Sequence, residues 1–257
     1  MNIISCNNIS KSYQSGFLER DRSLALRKVS FHIKERELFG FVGPNGAGKS
    51  TILKILMGFI RPDTGTTHIH ETLASNPESR HLLGYLPERP SLYPHLSPRE
   101  HLLFGAKLHG MTKDDASNHI NDVLKVVDLL DSADTPIKKF SKGMAQRAAL
   151  AYALLPTPKI LILDEPMSGL DPIGRQIVID IILEAHSRGC TILFCSHILN
   201  DVERICDRIG IMNKGELITT TTPAAVLDQF PPEKQRGGKT PLESFFLHTI
   251  EEGCCEK

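Results

Sequence analysis

A glycine-rich loop between an apolar run and a helix-forming run constrains this chain more than any other stretch. Residues 39–42 look like the end of a buried strand, and the next nine are Gly43, Pro44, Asn45, Gly46, Ala47, Gly48, Lys49, Ser50 and Thr51. This spacing is the pattern of a phosphate-binding loop. Its glycines let main-chain N–H groups surround phosphates, Lys49 adds a positive charge, and Ser50 offers a hydroxyl to Mg²⁺. The helix predicted after the loop directs the positive end of its dipole at the same phosphates.

Composition narrows the class of protein that carries this loop. The chain has 257 residues, enough for one large domain or two small ones, and equal numbers of basic and acidic residues, 30 of each. Because the net charge is zero, the chain has no overall positive field that would attract nucleic acid, and we expect no nucleic-acid partner. No apolar run reaches the length that spans a bilayer, and the first residues lack the features of a signal peptide, so we expect a cytoplasmic location.

The order of apolar patterns predicts an α/β fold. Continuous apolar runs at 160–163 and 191–195 suit parallel strands covered on both faces, whereas the alternation at 24–33 suits an antiparallel strand. Between them we expect helices at about 101–109, 113–130 and 141–155, and a polar loop at 14–23. We therefore predict a P-loop NTPase with a mostly parallel central sheet, an antiparallel β edge and an inserted helical subdomain.

The same patterns predict domain boundaries. Residues 1–230 would form one ATPase cassette, with a core at about 1–88 and 159–220 and the helical subdomain at about 89–158. Residues 231–257 would form a linker and a short C-terminal helix, which the capping-box pattern from Thr240 to Glu243 would start.

Two carboxylates end the first continuous apolar strand. Asp164 is a candidate ligand for Mg²⁺, and Glu165 is a candidate base that polarises the attacking water. His197 follows the next such strand and is a candidate contact to the γ-phosphate. Because strands of this kind of fold end at the same edge as the phosphate loop, we interpret these residues as catalytic rather than as simple strand ends.

Two further residues are ambiguous by sequence. Tyr13 could stack on an adenine ring or pack on its own sheet, and the two interpretations are about equal. Ser141 could cap the following helix alone, or it could cap a helix whose first residues, including Gly143, approach a ligand.

Six motifs in sequence order resemble those of the ATP-binding subunit of an ABC transporter, over about residues 3–217. They are the phosphate loop, Glu88 at a position that is usually Gln, a signature segment at 140–144, the magnesium strand at 160–165, the loop at 168–171 and the switch histidine His197. The resemblance implies that ATP and Mg²⁺ bind here and that ATP hydrolysis powers transport. It also implies that Glu88 and Asp171 contact ATP, with Glu88 near the metal as well.

The resemblance has implications for partners too. It implies a head-to-tail dimer, with a second copy or a paralogous ATPase, in which Ser141, Lys142 and Gly143 of one subunit contact the ATP held by the other. A polytopic membrane permease would hold the dimer on the inner face of the membrane, and residues 88–108 would receive a helix of that permease. A soluble ABC ATPase acting on a non-membrane partner, such as a cluster-assembly scaffold, is the alternative.

At three places the chain differs from the common pattern of this family. Glu88 replaces an amide with a carboxylate, Lys142 and Met144 replace the usual Gly and Gln, and Arg36 occupies a turn where many relatives carry Gly. Glu88 together with residues 142–144 resembles the exporter-type branch, which moves drugs, lipids or glycans.

Overall fold

The described residues up to Leu86 form mainly strands, three α-helices follow, and strands alternate with helices between residues 160 and 213. The computed structural model describes residues 1–15, 21–231 and 239–255. Its strands and helices, in chain order, are β1 (Asn2–Ser15), β2 (Asp21–Lys34), β3 (Leu38–Val42), α1 (Lys49–Leu56), β4 (Thr64–Ile69), β5 (Thr72–Leu73), β6 (Leu83–Leu86), α2 (Pro98–Leu108), α3 (Lys113–Val126), α4 (Lys142–Leu154), β7 (Ile160–Asp164), α5 (Pro172–Ser187), β8 (Thr191–Ser196), α6 (Leu199–Ile205), β9 (Arg208–Asn213), β10 (Glu216–Thr221), α7 (Pro223–Gln229) and α8 (Pro241–Cys255).

The chain divides into two units. The first comprises residues 1–80 and 193–257, and the second comprises residues 81–192. The predicted helical subdomain, 89–158, lies within the second unit, which also contains β6, β7 and α5. The separation of that subdomain from a core remains a prediction.

The first unit contains the antiparallel edge and part of the parallel sheet. β1 pairs antiparallel with β2 and with β4, in the order β2-β1-β4-β5. β3 pairs parallel with β9, from Phe39 opposite Arg208 to Val42 opposite Ile211, and every residue of β3 is buried. Phe31 lies with its ring centroid 5.0 Å from that of Phe41, which joins β2 to β3 in one apolar core. Such buried side chains each stabilise the fold by about 1.5–3 kcal/mol.

The second unit contains a parallel strand pair and four helices. β6 and β7 pair in parallel from Leu83 opposite Ile160 to Leu86 opposite Leu163. A Cβ at Gly84 would collide with the carbonyl oxygen of Ala153, so this strand can approach the end of α4 only with glycine. The all-buried pattern of β7 is what the continuous apolar run predicts.

Several predicted boundaries were wrong. Within the loop predicted at 14–23, residues 14 and 15 belong to β1 and residues 21–23 to β2, while residues 16–20 lie outside the described residues. The main chains of β1 and β2 still pair at Gln14 with Arg22 and at Ser15 with Asp21, although these residues are polar. The helix predicted to reach residue 130 ends at Val126, and Asp128 has φ +52°, which an α-helix cannot contain.

The C-terminal helix begins where its capping box predicts and extends to Cys255. The Thr240 N–H donates to Glu243 Oε2 at 2.8 Å, and the Glu243 N–H donates to Thr240 Oγ1 at 3.3 Å. Leu242 is fully buried, and its N–H donates to Glu203 of α6 at 3.2 Å. α8 therefore packs on the first unit, while residues 232–238 of the predicted linker lie outside the described residues. Among the residues that the structure describes, no helix has both the length and the apolarity needed to cross a bilayer.

Candidate nucleotide-binding site

Two glycines of the phosphate loop lie where no side chain fits. A Cβ at Gly43 would collide with the carbonyl oxygen of Met212. A Cβ at Gly48 would lie 2.7 Å from the carbonyl oxygen of Ala25 and 2.7 Å from Leu26 Cδ2. Gly48 also has φ +103°, a conformation that other residues rarely adopt. Two of the glycines predicted from the motif, Gly43 and Gly48, are therefore required by the packing around the loop.

Main-chain hydrogen bonds fix the path of the loop. The Ala47 N–H donates to the Pro44 carbonyl at 3.1 Å, and the Ala47 carbonyl accepts from the Gly215 N–H at 3.0 Å. The Gly215 carbonyl in turn accepts from the Arg27 N–H at 2.8 Å. The turn between β9 and β10 thus connects the loop to β2.

The ammonium group of Lys49 lies against its own loop. It donates to the carbonyl oxygen of Gly43 at 2.6 Å and to that of Pro44 at 3.3 Å, and Lys49 is only 6% exposed. A Cβ at Gly46, by contrast, would have no atom within 4 Å. A buried positive charge beside an open stretch of main chain, at the start of α1, is suited to bind phosphate groups.

Two further candidates of the first unit, Tyr13 and His197, are exposed. Tyr13 is 40% exposed near the end of β1, opposite Ser23 of β2. Its ring is therefore accessible for stacking, which remains a prediction. His197 is an exposed residue that follows directly after β8, at the position predicted from the sequence.

In the second unit, both carboxylates are buried at the end of β7. Asp164 is 4% exposed and Glu165 is 9% exposed. Glu165 has φ +51°, an unfavourable conformation for a residue with a side chain, and such backbone strain concentrates at functional sites. The Glu165 carbonyl accepts from the Ser168 N–H at 3.1 Å, which closes the turn after the strand.

Gln146 was missed by the sequence analysis. This residue of α4 is 7% exposed, and its side-chain amide donates to the Pro166 carbonyl at 3.0 Å. It thereby attaches the helix after the signature segment to the residue that follows Glu165. The signal in the sequence was a lone amide within an alanine-rich helix.

The signature segment begins α4 as predicted. Ser141 Oγ accepts from the Met144 N–H at 3.3 Å, so Ser141 is the N-cap. A Cβ at Gly143 would meet only Leu170, at 3.9 Å, which leaves space for a ligand at this helix end. Asp171 caps α5 in the same way, with its Oδ1 accepting from the Gly174 N–H at 2.7 Å.

The structure brings Glu88 and Lys142 together. Both line a cavity of about 400 Å³, with Gln146 and Ser168 among the other lining residues. The ammonium group of Lys142 occupies the space that a Cβ at Gly169 would fill. Two of the departures from the common family pattern therefore lie around one cavity and introduce opposite charges there.

The residues proposed to hold Mg²⁺ suit that ion chemically. Within residues 1–15, 21–231 and 239–255, no three His, Cys, Asp or Glu side chains are grouped to hold a metal ion. Mg²⁺ prefers oxygen ligands and is held by few protein groups together with substrate phosphates. The Ser50 hydroxyl of the first unit and the Asp164 and Glu88 carboxylates of the second are oxygen ligands of this kind, and that they hold one ion stays a prediction.

Comparison with known families is decisive for the kind of protein. A family model described as "ABC transporter" matches residues 26–168, more than half of the chain. The chain belongs to the ABC transporter family. It is 41% identical over 231 residues to an ABC transporter ATP-binding protein of Synechocystis, a match that covers 88% of this chain and 64% of that protein. It is 34% identical to the Nod factor export ATP-binding protein I of Burkholderia orbicola, over 88% of this chain and 72% of that one.

Solved structures of ABC transporter proteins have the same fold. An ATP-binding subunit of an ABC transporter superposes with a TM-score of 0.81 at 28% identity, over 96% of this chain and 99% of that one. A dimeric bacterial ABC transporter cassette gives a TM-score of 0.77 at 25% identity, over 86% and 98%. These matches confirm the predicted P-loop NTPase fold.

Replacing Lys49 should remove nucleotide binding. Lys49→Ala deletes the buried ammonium group, and we expect the affinity for ATP to fall at least about 10-fold, since hydrogen bonds to charged groups contribute about 1.5–3 kcal/mol. Isothermal titration calorimetry measures the change. Lys54→Ala, on the exposed face of the same helix, is the control and should bind as wild type does. Equal ATP affinity in wild type and Lys49→Ala would contradict the loop assignment.

Proposed function

We propose that this member of the ABC transporter family hydrolyses ATP and powers a membrane transporter by ATP-driven closure of a head-to-tail dimer. The observation that carries the proposal is the buried Lys49 ammonium in a loop where Gly43 and Gly48 have no room for a side chain. A site built in this way is suited to a nucleoside triphosphate. The proposed metal ion, Mg²⁺, supplies charge neutralisation at the β- and γ-phosphates when it is bound.

Glu165 is the proposed general base. Its main chain follows a fully buried strand and is held by the hydrogen bond from the Ser168 N–H and, at the next residue, by that from Gln146. A carboxylate held in this way can accept hydrogen bonds from the attacking water and orient it. His197 is proposed to hold the same water in line with the γ-phosphate, and Asp164 and Ser50 are proposed as metal ligands.

The second subunit is proposed to complete each ATP site. The N-terminus of α4 carries Ser141 and Gly143, is exposed, and has space beside Gly143. The partial positive charge at this helix end would stabilise the γ-phosphate bound by the partner copy. The fold shared with a dimeric cassette supports this arrangement. Asp171 is proposed to reach the same interface.

The proposed permease contact lies on the second unit. A cavity of about 280 Å³ is lined by aromatic and apolar residues that include Tyr85, Leu92 and Tyr152. Two more of its lining residues are largely exposed, Tyr93 to 64% and Phe104 to 52%. An exposed apolar surface of this kind suits an amphipathic helix from a partner. The partner would be a polytopic membrane permease that holds the chain at the inner face of the membrane.

Export is the proposed direction of transport. Glu88 and Lys142 belong to the sequence pattern that resembles the exporter-type branch, and both line one cavity. The name of the Nod factor export relative supports the same direction.

Glu165→Gln should separate binding from hydrolysis. The amide cannot act as a base, so we expect the ATPase rate to fall at least about 100-fold. ATP affinity should be unchanged. The ATP-bound dimer should accumulate, as seen by size-exclusion chromatography, because without hydrolysis its two subunits do not separate. Glu78→Gln, an exposed carboxylate in the first unit, is the control. Phosphate release by Glu165→Gln at the wild-type rate would disprove the assignment of the base.

Phe104→Glu should release the chain from membranes. A charge in the apolar surface should abolish co-purification with a permease from detergent-solubilised membranes of the producing cell, while ATP binding stays intact. Leu227→Glu, at an equally apolar but separate exposed position of α7, is the control and should remain bound. If wild type and Phe104→Glu were both absent from the membrane fraction, the alternative of a soluble ATPase would replace the transporter.

A further inference from the structure

Asp63 holds the end of β1 through four hydrogen bonds. Its N–H donates to the Ser10 carbonyl at 2.8 Å. Its Oδ1 accepts from Lys11 Nζ at 2.8 Å, and its Oδ2 accepts from both the N–H and the hydroxyl of Ser12 at 2.7 Å. The next residue along the chain is Tyr13. One carboxylate therefore fixes both the side chain and the main chain directly before the proposed adenine-stacking residue.

Beyond Ser10, β1 has no pairing with β4, its neighbour on the side of Asp63. β1 pairs with β4 only as far as Ser10, which lies opposite Thr64. Its pairing with β2 changes register between Ile9 and Lys11 and again between Lys11 and Ser12. Such irregularities redirect the side chains that follow them and are common next to active sites. Beyond Ser10, the Asp63 carboxylate takes the place of a strand partner.

Asp63 also belongs to the segment that follows the phosphate-loop helix. Main-chain hydrogen bonds continue past the end of α1: the Met57 N–H donates to Leu53 at 2.9 Å, and the Phe59 N–H donates to Lys54 at 2.9 Å. The chain then reaches Asp63 through a short turn. The carboxylate therefore connects the helix that starts at Lys49 to the strand that carries Tyr13.

The charge of Asp63 is part of this contact. The hydrogen bond from Lys11, with those from Ser12, lowers the pKa of the Asp63 carboxyl well below its ordinary value. The carboxylate therefore stays ionised at neutral pH, and the Lys11 ammonium balances it. An amide at this position would keep the shape, but it would lose the charge and one acceptor oxygen.

We propose that Asp63 is a positioning residue for the nucleotide base: it fixes Ser12 so that Tyr13 stacks on the purine of the bound ATP. The inference rests on the proposed ATPase function and assigns to Asp63 a role in recognising the base rather than the phosphates. If Asp63 only anchored the turn, its substitution would lower the stability of the fold and would not weaken ATP binding more than the binding of a phosphate ligand without a base.

The test compares a ligand with a base to one without. ATP and inorganic tripolyphosphate are titrated into wild type, Asp63→Asn, Tyr13→Ala and the control Glu71→Gln, which removes an exposed carboxylate from the turn between β4 and β5. We expect Asp63→Asn to raise the Kd and KM for ATP about 3- to 10-fold, which is part of the stacking contribution that Tyr13→Ala removes entirely. The kcat and the Kd for tripolyphosphate should stay within about 2-fold of wild type, and Glu71→Gln should match wild type throughout.

Specific outcomes would overturn the inference. Equal weakening of ATP and tripolyphosphate binding in Asp63→Asn, or a lower melting temperature with no change in binding, would make Asp63 a turn anchor only. An increase in the Kd for ATP in Tyr13→Ala but not in Asp63→Asn would refute the inference while leaving the proposed function intact. A wild-type chain that bound neither ligand would refute the proposed function itself. If Asp63→Asn does not fold, Ser12→Ala is used instead, because it removes one of the four hydrogen bonds. It should raise the Kd for ATP relative to the Kd for tripolyphosphate, by a smaller factor.

Discussion

The hydrogen bonds from β2 through the β9–β10 turn to the phosphate loop fix the shape on which the rest of the site depends. Lys214 and Gly215 both have positive φ, +46° and +84°, as a tight hairpin turn requires. A Cβ at Gly215 would lie 2.8 Å from the Ala25 carbonyl oxygen, and one at Gly48 would lie 2.7 Å from the same atom. Two glycines that are distant in sequence therefore approach one carbonyl, and the loop main chain is in place before a ligand binds.

The carboxylate that we propose as the base needs a fixed position as much as the phosphate loop does. Glu165 is held at an unfavourable φ by the turn to Ser168, and Gln146 attaches the following residue to α4. Strain of about 1–3 kcal/mol persists only where the surrounding structure imposes it. Since Ser141 is the N-cap of α4, the helix that holds the turn after Glu165 also carries the residue that we propose to meet a partner copy.

Local rules predicted the parts of this protein that depend on neighbouring residues. The phosphate loop, the carboxylates at the end of β7 and the N-cap at Ser141 each follow from residue type and spacing, and the structure has them there. The polar end of β1 was misjudged because strand pairing, not apolar alternation, keeps it extended. Asp63 could not be recognised from sequence, because its partners Lys11 and Ser12 are more than 50 residues away and look like ordinary surface residues.

If ATP is enclosed between the phosphate loop of one copy and the α4 N-terminus of another, as we propose, hydrolysis requires two copies. This can be tested by measuring the ATPase rate per subunit across a dilution series, with the mass of the species followed by sedimentation under the same conditions. We expect the rate per subunit to rise with protein concentration in step with the dimer fraction, and Ser141→Ala to lower the rate per dimer. A constant rate per subunit in a sample that sediments only as monomer would show that one copy is sufficient and would disprove the proposed dimer site.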